Sequence, residues 1–450
     1  MALRVADVLR ESACEHASVE VGRRGCSRRN VPGEAAGGCA FDGAQIVLLP
    51  VGDAAHLVHG PIACAGNSWN NRGTRSSGPA LYRRGLTTDL TEQEIIMGGE
   101  GKLREAIRET VRRLSPAAVF VYATCVTALT GEDLDQVCRD AQATLALPVI
   151  PVHAAGFLGK KNLGNRLAGQ ALLEHVIGTG EPPDSTPLDI NLIAEYNIAG
   201  ELWHVLPLLD ELGVRVLSRV SGDARYRELT FAHRARLNLV VCGRALLNLA
   251  RGMEERWGVP YLEGSFYGLR ELDATLKALA ERLGGAPLRA RAQALVRREE
   301  AAAGLALAPY RRVLAGRRAV LYTGGVKSWA MVSALQDLGL ELTAVGTNKS
   351  SRHDVERIRR LVGKDECLLE DSGAGALLAA ARRTGADILI AGGRNQYTAL
   401  KGRLPFLDVN QERQEAYAGY AGLIRLAERL TLALENPVWG QVGREEPWPA

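Results

Sequence analysis

An excess of either charge is missing from this sequence. Lys plus Arg number 55 against 51 Asp plus Glu in 450 residues, a net charge of +4 with no block of like sign. A nucleic-acid interface therefore has no electrostatic footprint here. Long hydrophobic runs are missing too. The longest are strand-length and broken by Gly, Pro or Arg, too short for a membrane-spanning helix. The start, MALRVADVLRESACEH, has no apolar h-region and no cleavage site, and a cytoplasmic protein is expected. CxxC, HExxH and GxxxxGK followed by Ser or Thr are all absent. Zinc ribbons, zincins and P-loop chemistry are left without a foothold. The eight cysteines form no dense spacing pattern. They suit a reducing compartment, where thiols stay free for metals, better than a disulfide framework.

What is present is a set of cysteines in small-residue surroundings. The stretch from Gly37 to Arg72, GGCAFDGAQIVLLPVGDAAHLVHGPIACAGNSWNNR, holds Cys39 and Cys64 at the edges of apolar runs. Small neighbours let the backbone approach an inorganic cluster and leave amide groups free to bond sulfide. The alternative is a pair of buried structural thiols, as Cys138 and Cys367 are expected to be. Cys125, in VFVYATCVTALTGED, follows a strand and opens a loop-to-helix turn, where ligands of α/β folds stand. Three thiols leave a cubane cluster one short, and the fourth ligand must come from elsewhere. His56 and His59 between them are expected to satisfy backbone groups, with hydrogen bonding near the cluster as the alternative.

Along the chain, strand-length apolar runs alternate with helical patterns. IVLLPV, AAVFVYATC and PVIPVHA read as strands, separated by the helices GGEGKLREAIRETVRRL and EDLDQVCRDAQATL. GNRLAGQALLEHVIGTG reads as a helix, and the prolines of EPPDSTPLD mark a boundary. The same order restarts in INLIAEYN, IAGELWHVLPLLDELG and VRVLSRVSG, and again in RAVLYTGG, VKSWAMVSALQDLG and LELTAVGT. The glycines ending LDELG and LQDLG are expected at helix C′ positions. ARAQALVRREEAAAGLALAPYRRVLAG reads as a helical connector, followed by strand DILIAGG and helix YAGYAGLIRLAERLTLALENP. Such alternation indicates mostly parallel sheets. Cys242, in LNLVVCGRALLNLARGMEERWGVP, falls where strand gives way to helix, a place that favours thiolate over thiol. A buried strand-end thiol is the alternative.

The segments CAFDGA, HGPIACAGNSWNNRG, TCVTALTG, GNRLAG, INLIAEYNIAGELWHV, SGDARYRE, EGSFYG, YTGGVKSW and AGGRNQYTALKGRLPFLDVNQER together resemble the nitrogenase component 1-like family. Within it they are most similar to the members that build the iron-molybdenum cofactor. The likeness runs from about Cys14 almost to the C-terminus. It implies an α/β fold of three Rossmann-like domains, with parallel sheets around a central metallocluster cleft. The expected divisions are an N-terminal arm, 1–36, and domains over 37–185, 186–300 and 301–430, then a tail, 431–450.

The resemblance also implies roles. Cys39, Cys64 and Cys125 match the positions that bind a [4Fe–4S] cluster at the interface with a sister subunit, which would supply the missing thiolate. Cys242 matches the anchor of the large iron-sulfur cofactor. Asn410 in FLDVNQER stands where dinitrogenase uses a histidine at the cofactor's other end. Lys161 and Asn165 in GKKNLGN fall on a dinitrogenase glutamine and histidine, and Arg394 on a homocitrate-side lysine. Arg72 and Lys327 match cluster-lining positions, although alone they read as a surface charge and an exposed helix start. Cys14 and Cys26 recur in the family arm, with a redox or packing role as the alternative to ligation.

Expected partners follow from the same source: a NifN-type sister subunit in an α2β2 heterotetramer, and NifB as the radical-SAM donor of an iron-sulfur precursor. The nitrogenase iron protein would help insert molybdenum and homocitrate, and apo-dinitrogenase would accept the product. Neither nucleic acid nor a membrane is expected. The chain is expected to be a scaffold rather than a turnover enzyme. Rival readings are a vanadium-nitrogenase scaffold, a dinitrogenase α subunit, a reductase of the dark-operative protochlorophyllide type, and a purely structural subunit.

Overall fold

The computed structural model describes residues 38–69, 85–323, 328–347, 350, 352–369, 373–410 and 413–442. They fall into two compact units, one holding residues 38–202 and 209–263 and the other 203–208 and 264–442. The expected N-terminal arm, with Cys14 and Cys26, lies outside the described residues.

The first unit opens with helix α1, Ala40–Leu48, every residue of which is buried. This corrects the strand expected at IVLLPV. Ile46, Val47 and Leu48 finish α1, and the first strand, β1, is Ala55–His59. An apolar run of six cannot by itself distinguish a core strand from a helix buried on all sides. Then follow α2 (Ile62–Trp69), β2 (Gly85–Thr87), α3 (Glu92–Met97), α4 (Glu100–Leu114), β3 (Val119–Ala123), α5 (Cys125–Thr130), α6 (Leu134–Leu145) and β4 (Val149–Val152). The strands pair in the order β2-β1-β3-β4, every pair parallel. Leu57 lies beside Val121, and Val121 beside Pro151. Proline is tolerated there because β4 is an edge strand. Leu103 and Ile107, one turn apart on α4, and Leu134 and Val137 of α6 pack on Leu57, Val119 and Val121.

Helix α7 (Lys161–His175) leads into a second sheet. Its elements are β5 (Asp189–Glu195), α8 (Glu201–Glu211), β6 (Arg215–Ser221), α9 (Tyr226–Thr230), β7 (Leu237–Val240), α10 (Gly243–Trp257) and β8 (Tyr261–Glu263). The strand order is β6-β5-β7-β8, again all parallel. Gly213, closing α8, has φ of 72°, as its place after LDEL requires.

The second unit contains α11 (Leu269–Leu283), α12 (Ala286–Leu314), β9 (Arg318–Tyr322), α13 (Ser328–Asp337), β10 (Glu341–Gly346), α14 (Arg352–Val362), β11 (Leu368–Leu369), α15 (Ala374–Thr384), β12 (Ile388–Ala391), α16 (Gln396–Gly402), β13 (Phe406–Asp408) and α17 (Gly419–Leu434). Its parallel sheet runs β11-β10-β9-β12-β13. One face meets Leu377, Ala380 and Ala381 of α15 through Val320, Tyr322, Leu389 and Ala391. The connector expected over residues 290–316 is more than a linker. Leu288, Ala292, Leu295, Val296, Ala303 and Leu307 make a buried stripe along α12, which packs on α11 and α17.

All three sheets share one winding. The first strand of each is internal, the chain moves outward one way, then crosses back to the other side. A crevice therefore opens at the carboxyl ends of β1 and β3, of β5 and β7, and of β9 and β12. Among the described residues no helix is long and apolar enough to cross a membrane.

Candidate metallocluster site

Cys39, Cys64 and Cys125 each stand at the start of a helix. Cys39 is the N-cap of α1 and pairs as an antiparallel bridge with Lys160. The amide of Ala40 donates to the Gly159 carbonyl at 2.9 Å, and that of Lys161 to Gly38 at 2.8 Å. Cys64 lies in the first turn of α2, its amide bonded to the Pro61 carbonyl at 3.1 Å. Cys125 opens α5 behind Thr124, whose hydroxyl forms a capping box with Thr127. All three thiols are free and partly exposed.

Cys39 and Cys125 meet at Gly156, in the turn Gly156–Leu158 after β4. A Cβ placed there would stand 3.0 Å from the Cys125 Sγ and 3.1 Å from the Cys39 Sγ. Burial raises the Cys64 thiol above its ordinary pKa, and the neighbouring Cys125 and Cys39 raise it further. Metal binding at Cys64 must therefore displace a proton. Among the described residues no three His, Cys, Asp or Glu converge closely enough for a single metal ion. A cubane takes each thiolate on a separate iron, and two sulfurs at a bare glycine with the Cys64 thiol near enough to feel both fit such a cluster.

Behind the cysteines lie the two histidines of β1. His56 is buried, with Nδ1 2.9 Å from the Tyr122 hydroxyl and Nε2 3.3 Å from the Val51 carbonyl. His59 departs from the expectation that it serves backbone groups. Its Nδ1 is 3.1 Å from the Thr88 hydroxyl, and its Nε2 lies 2.5 Å from the Glu132 carboxylate. Burial holds His59 below its usual pKa against the pull of Glu132. Several large apolar side chains on the neighbouring elements are exposed. Ile62 beside Cys64, Leu129 on α5, Phe157 beside Gly156, and Ile96 and Met97 on α3 are 55–79% exposed. Helix α3 packs against α5.

Cys242 is the N-cap of α10 and is 3% exposed, at the crevice between β5 and β7. Beside it, the Val241 amide donates to the Ile193 carbonyl at 2.9 Å. Helix α7 carries Lys161 and Asn165. The Lys161 Nζ is 3.4 Å from buried Asp42 of α1. Asn165 is buried, and its Oδ1 has no hydrogen-bond partner among the described residues. Helix α7 also packs on α10, where a Cβ on Gly169 would meet Leu246 at 3.0 Å and one on Gly252 would meet Leu173 at 2.6 Å. One helix thus touches both the element that begins at Cys39 and the element that begins at Cys242.

In the second unit Arg394 sits in the turn Gly393–Asn395 after β12. Asn410 follows β13, its amide donating to the Asp408 carboxylate at 2.7 Å. A Cβ on Gly392 would stand 3.0 Å from the Asn410 Nδ2, which brings the two loops together. Arg413, 4% exposed, donates to the Asn410 carbonyl. Arg72 and Lys327 lie outside the described residues. Sequence reasoning missed Gly156, Glu132, Asp42 and Arg413. Only the NQER segment offered a signal, for Arg413, and none distinguishes Gly156 from the other glycines.

The family model for nitrogenase component 1 type oxidoreductases matches residues 39–435. The chain is 56% identical over 448 residues to the nitrogenase iron-molybdenum cofactor biosynthesis protein NifE of Nostoc sp., covering 99% of this chain and 93% of that one. It is 55% identical over 451 residues to the protein of the same name from Klebsiella pneumoniae, covering 98% of each. Among solved structures it resembles nitrogenase Cp1 at pH 6.5, with a TM-score of 0.85, 26% identity, and coverage of 94% and 93%.

Proposed function

The chain belongs to the nitrogenase component 1 type oxidoreductase family, and on that premise we propose that it is a scaffold subunit for assembly of the nitrogenase iron-molybdenum cofactor. The observation that carries this reading is the contrast between its thiols. Cys39 and Cys125 meet at Gly156 with Cys64 close enough to feel both, whereas Cys242 caps a different helix at the crevice of the second sheet.

In this reading the three converging cysteines hold a [4Fe–4S] cluster, which when bound would supply an electron relay. The fourth thiolate belongs to a NifN-type sister subunit. The exposed Ile62, Leu129 and Phe157, on the elements that carry or adjoin the cysteines, support a protein partner there, since exposed large apolar side chains clustered near a site mark an interface. Assembly as an α2β2 heterotetramer in the reducing cytoplasm follows from the same reading.

The cargo is an iron-sulfur precursor delivered by NifB, for which Cys242 is the anchoring thiolate. At Asn410 the chain offers an amide where dinitrogenase has an imidazole, and an amide is a poor ligand for iron. One firm ligand retains the cargo during maturation and lets it leave afterwards. Asn165 likewise cannot titrate near neutrality as a histidine would, which weakens proton delivery to a reducible substrate. Arg394 is a cation suited to a polycarboxylate such as homocitrate, to which it would present a bidentate fork. Arg72 and Lys327 complete the expected basic lining. The nitrogenase iron protein supplies electrons for insertion of molybdenum, and apo-dinitrogenase takes the product.

The test uses the complex purified anaerobically with its sister subunit from cells that make the precursor. It is mixed with iron protein, ATP, dithionite, molybdate and homocitrate, with and without cofactor-free dinitrogenase, and acetylene reduction is followed. Activity that depends on dinitrogenase is the expected result. Strong activity without it would make the protein a reductase in its own right.

A further inference from the structure

The strand β1 ends in a residue whose side chain and carbonyl both act on the neighbouring cysteine helix. The His59 carbonyl accepts the Thr124 hydroxyl at 2.9 Å and the Thr127 hydroxyl at 3.4 Å, which fixes the start of α5 and with it Cys125. The His59 imidazole reaches Glu132, just past the other end of α5. Both ends of the helix that carries Cys125 are therefore tied to one residue. The same residue precedes Gly60 and Pro61, which lead directly into α2 and Cys64.

The pair is built into the interior. The His59 side chain is 0% exposed and that of Glu132 6%. Glu132 accepts further from the Gly99 amide at 3.2 Å and the Thr130 hydroxyl at 3.4 Å, both through Oε1. The Thr88 oxygen accepts the Gly60 amide at 3.1 Å, leaving its own proton for His59 Nδ1. That pattern puts the imidazole proton on Nε2, donated to the Glu132 carboxylate. Glu100 is the other charged group acting on His59. A buried imidazole–carboxylate pair is no more stabilising than well-packed apolar side chains of equal volume. Its presence between two cysteine loops calls for a role that packing does not provide.

We propose that His59 and Glu132 are the positioning pair of the interface cluster, holding Cys125 and Cys64 at the spacing the cluster requires. This rests on the reading of Cys39, Cys64 and Cys125 as its ligands. The side chains act as the outer partners that orient metal ligands elsewhere, and loss of such partners weakens metal retention by about 10–100-fold. His59→Leu keeps the carbonyl bonds to Thr124 and Thr127 and removes only the side-chain tie.

The experiment uses the anaerobically purified heteromeric complex, with wild type, Cys125→Ala, His59→Leu, His59→Gln and Glu132→Gln compared. The readouts are the electron paramagnetic resonance spectrum of the reduced interface cluster, its reduction potential, and the rate of iron loss to an iron chelator. Expected are at least about 10-fold faster loss in His59→Leu, altered g-values and a shifted potential. His59→Gln, whose amide can still donate to Glu132, restores most of the wild-type behaviour. An unchanged spectrum, potential and loss rate in a folded His59→Leu complex overturns the proposal. If His59→Leu fails to fold, Glu132→Gln decides by the same criteria, since it keeps the volume and removes the charge. A wild-type complex with no interface cluster, indistinguishable from Cys125→Ala, would instead defeat the ligand reading itself.

Discussion

Gly43 of α1 and Gly164 of α7 bring two helix backbones into direct contact. A Cβ on Gly43 would lie 1.9 Å from the Lys161 carbonyl oxygen, and one on Gly164 would lie 1.8 Å from that of Ala40. Neither obstacle is a side chain that can swing away. The contact seats the helix that begins at Cys39 against the helix that carries Lys161 and Asn165.

Gly164→Ala is therefore expected to destabilise the first unit by about 3 kcal/mol, the upper range for overpacking. Gly101→Ala on α4, where an added Cβ meets nothing within 4 Å, is expected to change stability by less than about 1 kcal/mol and in the favourable direction. Denaturant midpoints of the two variants check this. Equal midpoints would mean that α1 and α7 can separate without cost.

Gly156→Val tests the sulfur cradle. Gly156 does not need a left-handed φ, and the new side chain acts on the Cys39 and Cys125 sulfurs rather than on the backbone. The expected variant folds, keeps the iron bound at Cys242, and lacks the interface cluster. Iron content and visible absorbance of the complex measure both. Full interface iron would show that the sulfurs move apart to make room.

Cys242→Ala should abolish precursor retention and leave the interface cluster in place. Asn410→His should do the reverse of release, slowing transfer of cofactor to apo-dinitrogenase by adding an imidazole ligand. Iron stoichiometry decides the first and the time course of activated dinitrogenase the second. Unchanged bound iron in Cys242→Ala would remove that residue from the anchor role.

The second unit has a pH-dependent element away from these sites. Asp273 of α11 is buried and accepts the Tyr420 hydroxyl at 2.5 Å. Burial, reinforced by Glu300, pushes its carboxyl up to about 7. A carboxyl whose folded pKa is raised binds its proton more tightly folded than unfolded. The associated stability is complete below the unfolded value near 4 and is lost as pH rises through about 7. Unfolding free energy should fall across that window by at most about 1.4 kcal/mol per pH unit. Asp273→Asn should flatten the decline, as read from denaturant titrations at several pH values.

Much of this was legible in the sequence, for reasons that also mark where legibility ends. Cys125 and Cys242 could be placed because a strand followed by a small-residue turn and a helix is a local pattern, and each was found at a crevice of its sheet. The run IVLLPV could not, because α1 is buried on every side and shows no helical stripe. Gly156 and Glu132 act through partners distant in sequence, and nothing local separates them from other glycines and glutamates. His59 was read first as a server of backbone groups and second as a hydrogen-bonding neighbour of the cluster; its ring meets the Thr88 and Glu132 side chains, while His56 meets one backbone carbonyl and the Tyr122 hydroxyl.

The bridge between Cys39 and Lys160 sets an order of events during synthesis. The helix after Cys39 is buried along its whole length, and its principal companion, α7, leaves the ribosome well after it. Up to that point the nascent chain leaves Phe41, Ile46, Val47 and Leu48 without their full packing, which makes it a natural client for a holdase chaperone. Iron delivered before that moment would find Cys39 unseated. Loading of the cysteine site must therefore wait for the segment that ends in α7.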